Sequence, residues 1–154
     1  MFKKLFMTLA CLVFVPTVAN ADELTDVKTF FDKYVNAANA YEKNIPDYYL
    51  KNAKIVRVVH KKDGTKQSVV IPFDRYLSEM KKGEALAKAT RYKNTYLDRK
   101  YDKIGADYKV SATRIPRNDK TGLPSHFIIT KTQNGWKIKE ESMDTTVQSF
   151  LNAK

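Results

Sequence analysis

The sequence predicts an α+β domain: helices packed on a mostly antiparallel sheet. Three observations predict it. Apolar residues after position 22 recur at helical spacing. Two turn dipeptides, Asp63-Gly64 and Asn134-Gly135, each separate β-rich runs. Strand-like segments then follow one another through the C-terminal half. Helices grouped early and strands grouped late give α+β rather than alternating α/β.

Leu24, Val27, Phe31, Tyr34, Val35, Ala38 and Tyr41 lie three and four apart, which makes one face of a helix from Glu23 to Glu42. Phe30 and Ala37 widen that face, and Asp22 is a suitable N-cap. Pro46 can open a short second helix through Tyr48, Tyr49 and Leu50. Lys54–Lys61 and Gln67–Ile71 are β-branched runs joined by Lys62-Asp63-Gly64-Thr65, a hairpin signal. Phe73, Tyr76, Leu77 and Met80 return to helical spacing, with Gly83 as a possible stop or Leu86 a turn further. Four strands follow over Arg91–Tyr101, Asp107–Ile115, Ser125–Thr132 and Trp136–Met143, with a polar loop at Pro116–Pro124. Thr145–Lys154 reads as a closing helix capped by Asp144.

The first 21 residues read as an export leader. Lys3-Lys4 precede an apolar stretch, Leu5–Val15, and Ala19-Asn20-Ala21 forms a small-x-small cleavage site. The stretch is shorter than the ~20 residues a membrane span needs. Residues 22–154 are then a single mature domain, periplasmic or secreted. Cys11 is the only cysteine and lies inside the apolar stretch. Thr8 stands where a lipidation signal wants a large aliphatic residue, so Cys11 is read as part of the leader. The mature chain therefore offers no disulfide, thiol nucleophile or cysteine–zinc site.

The familiar catalytic signatures are missing. There is no nucleophile elbow, phosphate loop or dinucleotide fingerprint, and no cofactor is implied. His60 and His126 lack metal-ligand spacing, so no metal is expected; His60 reads as a solvated residue near a hairpin tip. Glu140 and Glu141 fall on opposite faces of the last strand, with one turned toward the interior; either reads most simply as surface charge.

Two stretches carry a family resemblance. One is Phe31–Ala40 followed by Tyr48–Ile55; the other is the closing hairpin from Phe127–Thr130 to Asn134–Ile138. With the order of elements, they resemble the nuclear transport factor 2-like superfamily, which includes ketosteroid isomerases and polyketide cyclase-like enzymes. The resemblance implies a curved sheet forming a cone, packed by the N-terminal helices, with a pocket inside. It places Tyr34, Tyr49, Tyr96, Tyr108 and His126 as pocket candidates. Tyr34 falls where the isomerases carry an oxyanion donor, and Tyr34 and His126 are the candidate catalytic groups. The aspartate base of those enzymes has no counterpart: Arg57 stands near its place, and Asp107 is the nearest candidate for their second acid. Steroid-isomerase chemistry is disfavoured on that ground.

Charge supplies the remaining evidence. The chain has 28 Lys and Arg against 17 Asp and Glu, a net of +11, and loses two lysines with the leader. That balance favours acidic partners, and export points to anionic lipid or an envelope polymer rather than nucleic acid. Strict alternation along Arg91–Tyr101 sets Arg91, Lys93 and Arg99 on one face, either as an anionic-surface site or as lysine-rich edge protection. A small hydrophobic ligand and a homodimer through the open sheet face are further expectations. The leading reading is an exported binding or assembly module; the alternative is a small-molecule isomerase or dehydratase.

Overall fold

The computed structural model describes residues 19–117 and 119–152; residues 1–18, the bulk of the expected leader, lie outside it. The order is α1 (Ala19–Asn39), a 3-10 turn (Ile45–Tyr48), β1 (Tyr49–His60), β2 (Lys66–Ile71), α2 (Phe73–Ala89), β3 (Asn94–Ile104), β4 (Asp107–Pro116), β5 (Leu123–Thr132), β6 (Gly135–Thr145) and a closing 3-10 turn (Gln148–Asn152). The six strands form one sheet in the order β2-β1-β6-β5-β4-β3. All neighbours are antiparallel except β1 and β6. The α+β class and the curved sheet are as the sequence implied.

The curvature has a local cause. The ladder shifts register between Tyr49 and Lys54 of β1, between Leu97 and Lys100 of β3, and between Ile128 and Ile129 of β5 where it meets β6. A bulge bends its strand and increases the local twist. α1 lies in the concave side and drives Val27 and Phe31 fully inside. The Phe31 ring meets Phe127 at 4.9 Å, Tyr96 at 5.7 Å and Tyr101 at 6.5 Å.

Several boundaries differ from the sequence expectation. α1 starts at Ala19, so Asp22 sits within its first turn, where the helix dipole favours an acid, instead of capping it. It stops at Asn39 because Tyr41 turns left-handed (φ 58°), and the Glu42 amide donates back to the Ala37 carbonyl at 3.0 Å. That is a Schellman closure made without glycine. α2 runs through Gly83 to Ala89 and closes in the same way, with Arg91 left-handed (φ 51°) and the Tyr92 amide on Ala87 at 2.8 Å. β3 therefore starts at Asn94, not Arg91. Pro46 opens only a 3-10 turn, and Tyr49 and Leu50 belong to β1. Asp144 remains in β6 and caps no helix.

The bulge in β3 also overturns the expected alternation. Asp98 takes φ 52°, and one extra residue is accommodated between Leu97 and Lys100. Tyr96 and Tyr101, five apart, consequently both reach Phe31. Arg91 and Lys93 precede the strand, so they share no strand face with Arg99.

Candidate functional site

The concave side of the sheet holds a polar knot. Glu141 stands mid-sheet on β6, facing Ile55 of β1 and Phe127 of β5, and is 0% exposed. Arg57, two residues along β1 from Ile55, shares that face, and its Nη2 donates to Glu141 Oε1 at 2.7 Å. α1 delivers the Tyr34 hydroxyl to Oε2 at 3.2 Å, and the first residue of β1 delivers the Tyr49 hydroxyl to the same oxygen. The two phenol oxygens also lie 2.7 Å apart. From α2, the Tyr76 hydroxyl lies 3.4 Å from both carboxylate oxygens. The Arg57 guanidinium lies over the Tyr76 ring at 5.4 Å and the Phe150 ring at 5.8 Å.

The electrostatics follow from this packing. Burial, and then the Glu141 charge, push the Tyr34 and Tyr49 phenols well above the ordinary tyrosine value. The same two causes raise Tyr76 and Tyr96. Burial works against the Arg57 charge, but the facing Glu141 outweighs it and holds the guanidinium above its usual value. The three phenols are thus neutral donors to one carboxylate. A buried carboxylate so supplied is satisfied, and its accepting positions are engaged. It is a poor general base, which needs a lone pair facing a substrate proton.

The interior is also filled. Phe31, Phe127, Tyr34, Tyr49 and Tyr96 are all buried and pack ring against ring. Two surface hollows stand elsewhere. One, about 390 Å³, runs along Lys51–Lys54 and Val70–Asp74. The other, about 360 Å³, crosses the convex face past Lys100, Lys109, Ser111 and His126. Neither is lined by Glu141 or the knot tyrosines. Among the described residues no cluster of His, Cys, Asp and Glu could hold a metal.

The sequence-derived candidates separate. Tyr34 and Tyr49 meet at Glu141. Tyr96 packs between Phe31 and Phe127 as a core ring, and Tyr108 lies against Trp136 at 5.8 Å. His126 does not join them: it projects to the convex face, its Nε2 3.4 Å from Glu140 Oε1, because its neighbour Phe127 takes the inward position. His60 is not simply solvated; it pairs with Asp144 at 2.6 Å, alongside Lys66 at 3.1 Å. Asp107 pairs with Lys139 at 2.8 Å; burial opposes its charge, but that lysine holds its carboxyl below the usual value. Arg99 is bound to Asp32 and lies over the Phe31 ring at 5.2 Å. Arg91 and Lys93 make no side-chain ion pair among the described residues.

Glu141, Arg57 and Tyr76 as a set escaped the sequence reading. Alternation from Trp136 and Ile138 points to Glu140 as the inward acid. One additional residue in β6, accommodated where Ile138 faces Ile129 and Glu140 faces Ile128, moves the inward position to Glu141.

Comparison with solved structures settles the architecture. The chain has the nuclear transport factor 2-like fold. A nuclear transport factor 2-like protein with a cystatin-like fold from Novosphingobium aromaticivorans superposes with a TM-score of 0.64 at 8% identity, covering 90% of this chain and 94% of that one. One of unknown function from Pseudomonas putida gives 0.63 at 7% identity, covering 80% and 87%. A third, described as a candidate scytalone dehydratase from Novosphingobium aromaticivorans, gives 0.58 at 11% identity, covering 83% and 87%. No family model matches the sequence, and no curated protein is similar to it. Identities this low carry the fold alone, and the fold hosts many functions.

Proposed function

We propose that the protein is exported and serves as a binding or assembly module of the bacterial cell envelope, working through its surface. The observation that carries this reading is the closed interior. Rings fill the cone, and Glu141 commits its oxygens to Arg57 and the tyrosines. The positive balance and the leader motif support an anionic partner, either lipid headgroups or an anionic polymer. Arg91 and Lys93 are the proposed contacts. Arg99 is the weaker member, since Asp32 and Phe31 already hold it.

The test is binding of the mature chain to vesicles of phosphatidylglycerol in phosphatidylcholine at physiological salt. Each Lys or Arg near an anionic surface contributes about 1 kcal/mol. Replacing Arg91 and Lys93 with glutamine should therefore weaken binding roughly thirtyfold, with folding intact. Wild-type protein that ignores both these vesicles and lipopolysaccharide would end the reading.

A second reading, a small-molecule enzyme of the isomerase or dehydratase type, rests on one specific contact. The Tyr34 hydroxyl lies 3.2 Å from a buried carboxylate, a donor beside an acceptor. It requires a ligand that displaces Tyr49 from Glu141. Native mass spectrometry of protein purified from its own envelope distinguishes the readings: a stoichiometric small molecule, lost on Tyr34→Ala, favours the enzyme.

A further inference from the structure

Leu86 is the most exposed large apolar side chain among the described residues, at 69%. It lies in the last turn of α2, and Gly83 and Ala89, three residues to either side of it on the helix, are small and exposed. Leu86 therefore stands clear of its own helix. Beyond it the chain turns at once. The Thr90 amide donates to the Leu86 carbonyl at 2.9 Å and the Tyr92 amide to the Ala87 carbonyl at 2.8 Å, so the loop Thr90–Lys93 folds back on the turn that carries Leu86. Tyr92 is itself 37% exposed.

Cations gather at this tip without counter-charges. Arg117 joins Arg91 and Lys93 there. Its amide donates to the Lys93 carbonyl at 2.9 Å, one step beyond the Asn94–Pro116 pair of the β3–β4 ladder, which sets Lys93 opposite Arg117. Like charges directly opposite each other are unfavourable on a sheet. Arg117 Nη1 donates to the carbonyls of Thr90, at 3.3 Å, and Arg91, where α2 ends and a positive charge complements the helix dipole. Behind Tyr92 lies the buried Arg114, its Nη1 3.4 Å from the Tyr92 hydroxyl. None of these four bases forms an ion pair among the described residues. The tip is also held from α1: the Tyr41 hydroxyl donates to the Tyr92 carbonyl, and the Asn39 side chain binds both the amide and the carbonyl of Asn94, at 2.9 and 3.0 Å.

We propose that this tip is where the protein attaches to an anionic bilayer, with Leu86 entering the acyl boundary and Arg91, Lys93 and Arg117 on the phosphate headgroups. The inference rests on the surface-binding reading and narrows its two partners to one. The exposed leucine decides between them. A soluble polyanion gains from the cations alone, whereas a bilayer also takes the Leu86 side chain out of water. The Tyr92 ring, apolar with a polar end, suits the boundary between the two zones. Arg114 is not a contact; it adds its charge from behind.

The segment 22–154 contains no cysteine. Leu86→Cys and Val147→Cys can therefore each carry a single environment-sensitive fluorophore, Val147 being a 50% exposed site outside the tip. Vesicles of phosphatidylglycerol in phosphatidylcholine should shift the probe at 86 to the blue and leave the probe at 147 in place. Pure phosphatidylcholine should move neither. In cosedimentation, Leu86→Ser should weaken binding to the anionic vesicles by about tenfold, the transfer of one leucine side chain, and leave binding to soluble polyphosphate unchanged. Arg117→Gln should weaken binding to the vesicles by about fivefold. Leu86 faces solvent, so its replacements keep the fold. If the wild type sediments with the anionic vesicles, a silent probe at 86, or vesicle binding left whole by Leu86→Ser or by Arg117→Gln, overturns this proposal alone. Wild-type protein that ignores both the vesicles and lipopolysaccharide ends the surface-binding reading and this proposal with it.

Discussion

Glu141→Gln tests the centre of the cone directly. The substitution keeps the shape of the side chain and removes its charge. Arg57, only 9% exposed at its side chain and 2.7 Å from the carboxylate, would then be a buried cation without a counter-ion. Breaking a buried pair from one side costs about 3–5 kcal/mol. Whole-domain stabilities run to about 5–15 kcal/mol, so the loss is a large fraction. In a domain of this size it corresponds to a fall in Tm of roughly 10–15 °C. Guanidinium denaturation of the segment 22–154 measures it, with the slope checked for constancy. The double variant Arg57→Met/Glu141→Leu is the control. With both charges gone the desolvation cost disappears, and apolar replacement of a buried pair is often neutral or stabilising. Stability should return most of the way, short of full recovery because Tyr34, Tyr49 and Tyr76 lose their shared acceptor. A loss below about 1 kcal/mol for Glu141→Gln, the range of exposed pairs, would refute the reasoning.

Other consequences follow from the same geometry. The folded-state values of Tyr34, Tyr49, Tyr76 and Tyr96 are raised, so the unfolded chain gives up these protons first. Their contribution is therefore complete below the unfolded tyrosine value of about 10 and is lost as pH climbs above it. Denaturation midpoints that hold steady from neutral pH to about 9 and then fall would agree; midpoints flat to about 12 would not. Phe31→Ala should cost about 3–5 kcal/mol, since four rings close around that side chain, and a loss under about 1 kcal/mol would mean the core is not centred there. Leu97 and Val70 are 45% and 57% exposed at opposite ends of the sheet. If the open face pairs two copies, light scattering of the wild type should give a dimer, and Leu97→Glu with Val70→Glu a monomer. A wild-type monomer at high micromolar concentration would exclude that pairing.

Much of the fold was legible because its signals are local. The Asp63-Gly64 turn, the Asn134-Gly135 turn and the apolar face of α1 each depend on residues within a few positions of one another. Boundaries were less legible. Both helix ends turn at a left-handed residue that is not glycine, Tyr41 and Arg91, and no sequence signal marks such a residue. Tertiary contacts accompany them: the Tyr41 hydroxyl donates to the Tyr92 carbonyl, and Arg117 donates to the carbonyls of Thr90 and Arg91. Those partners are 26 to 51 residues apart in sequence, beyond the reach of any local pattern.

The candidate site was hidden by a different mechanism. Side-chain alternation has a period of two, so one inserted residue reverses every assignment beyond it. β3 carries such an insertion at Asp98, and β6 carries another beside Lys139. The first breaks the alternation that would set Arg99 on one face with Arg91 and Lys93; the second brings Glu141, not its neighbour Glu140, to the inward face. The same insertions perform a structural task. They bend the sheet around α1 so that Tyr96, Tyr101 and Phe127 all reach Phe31. The insertion in β6 brings Glu141 to the face that Arg57 shares. A strictly alternating β6 would turn Glu140 inward with Ile138 and leave Arg57 without its buried partner. The bend that makes the cone and the charge that occupies it therefore have one origin, an irregularity that a periodic reading of the sequence averages away.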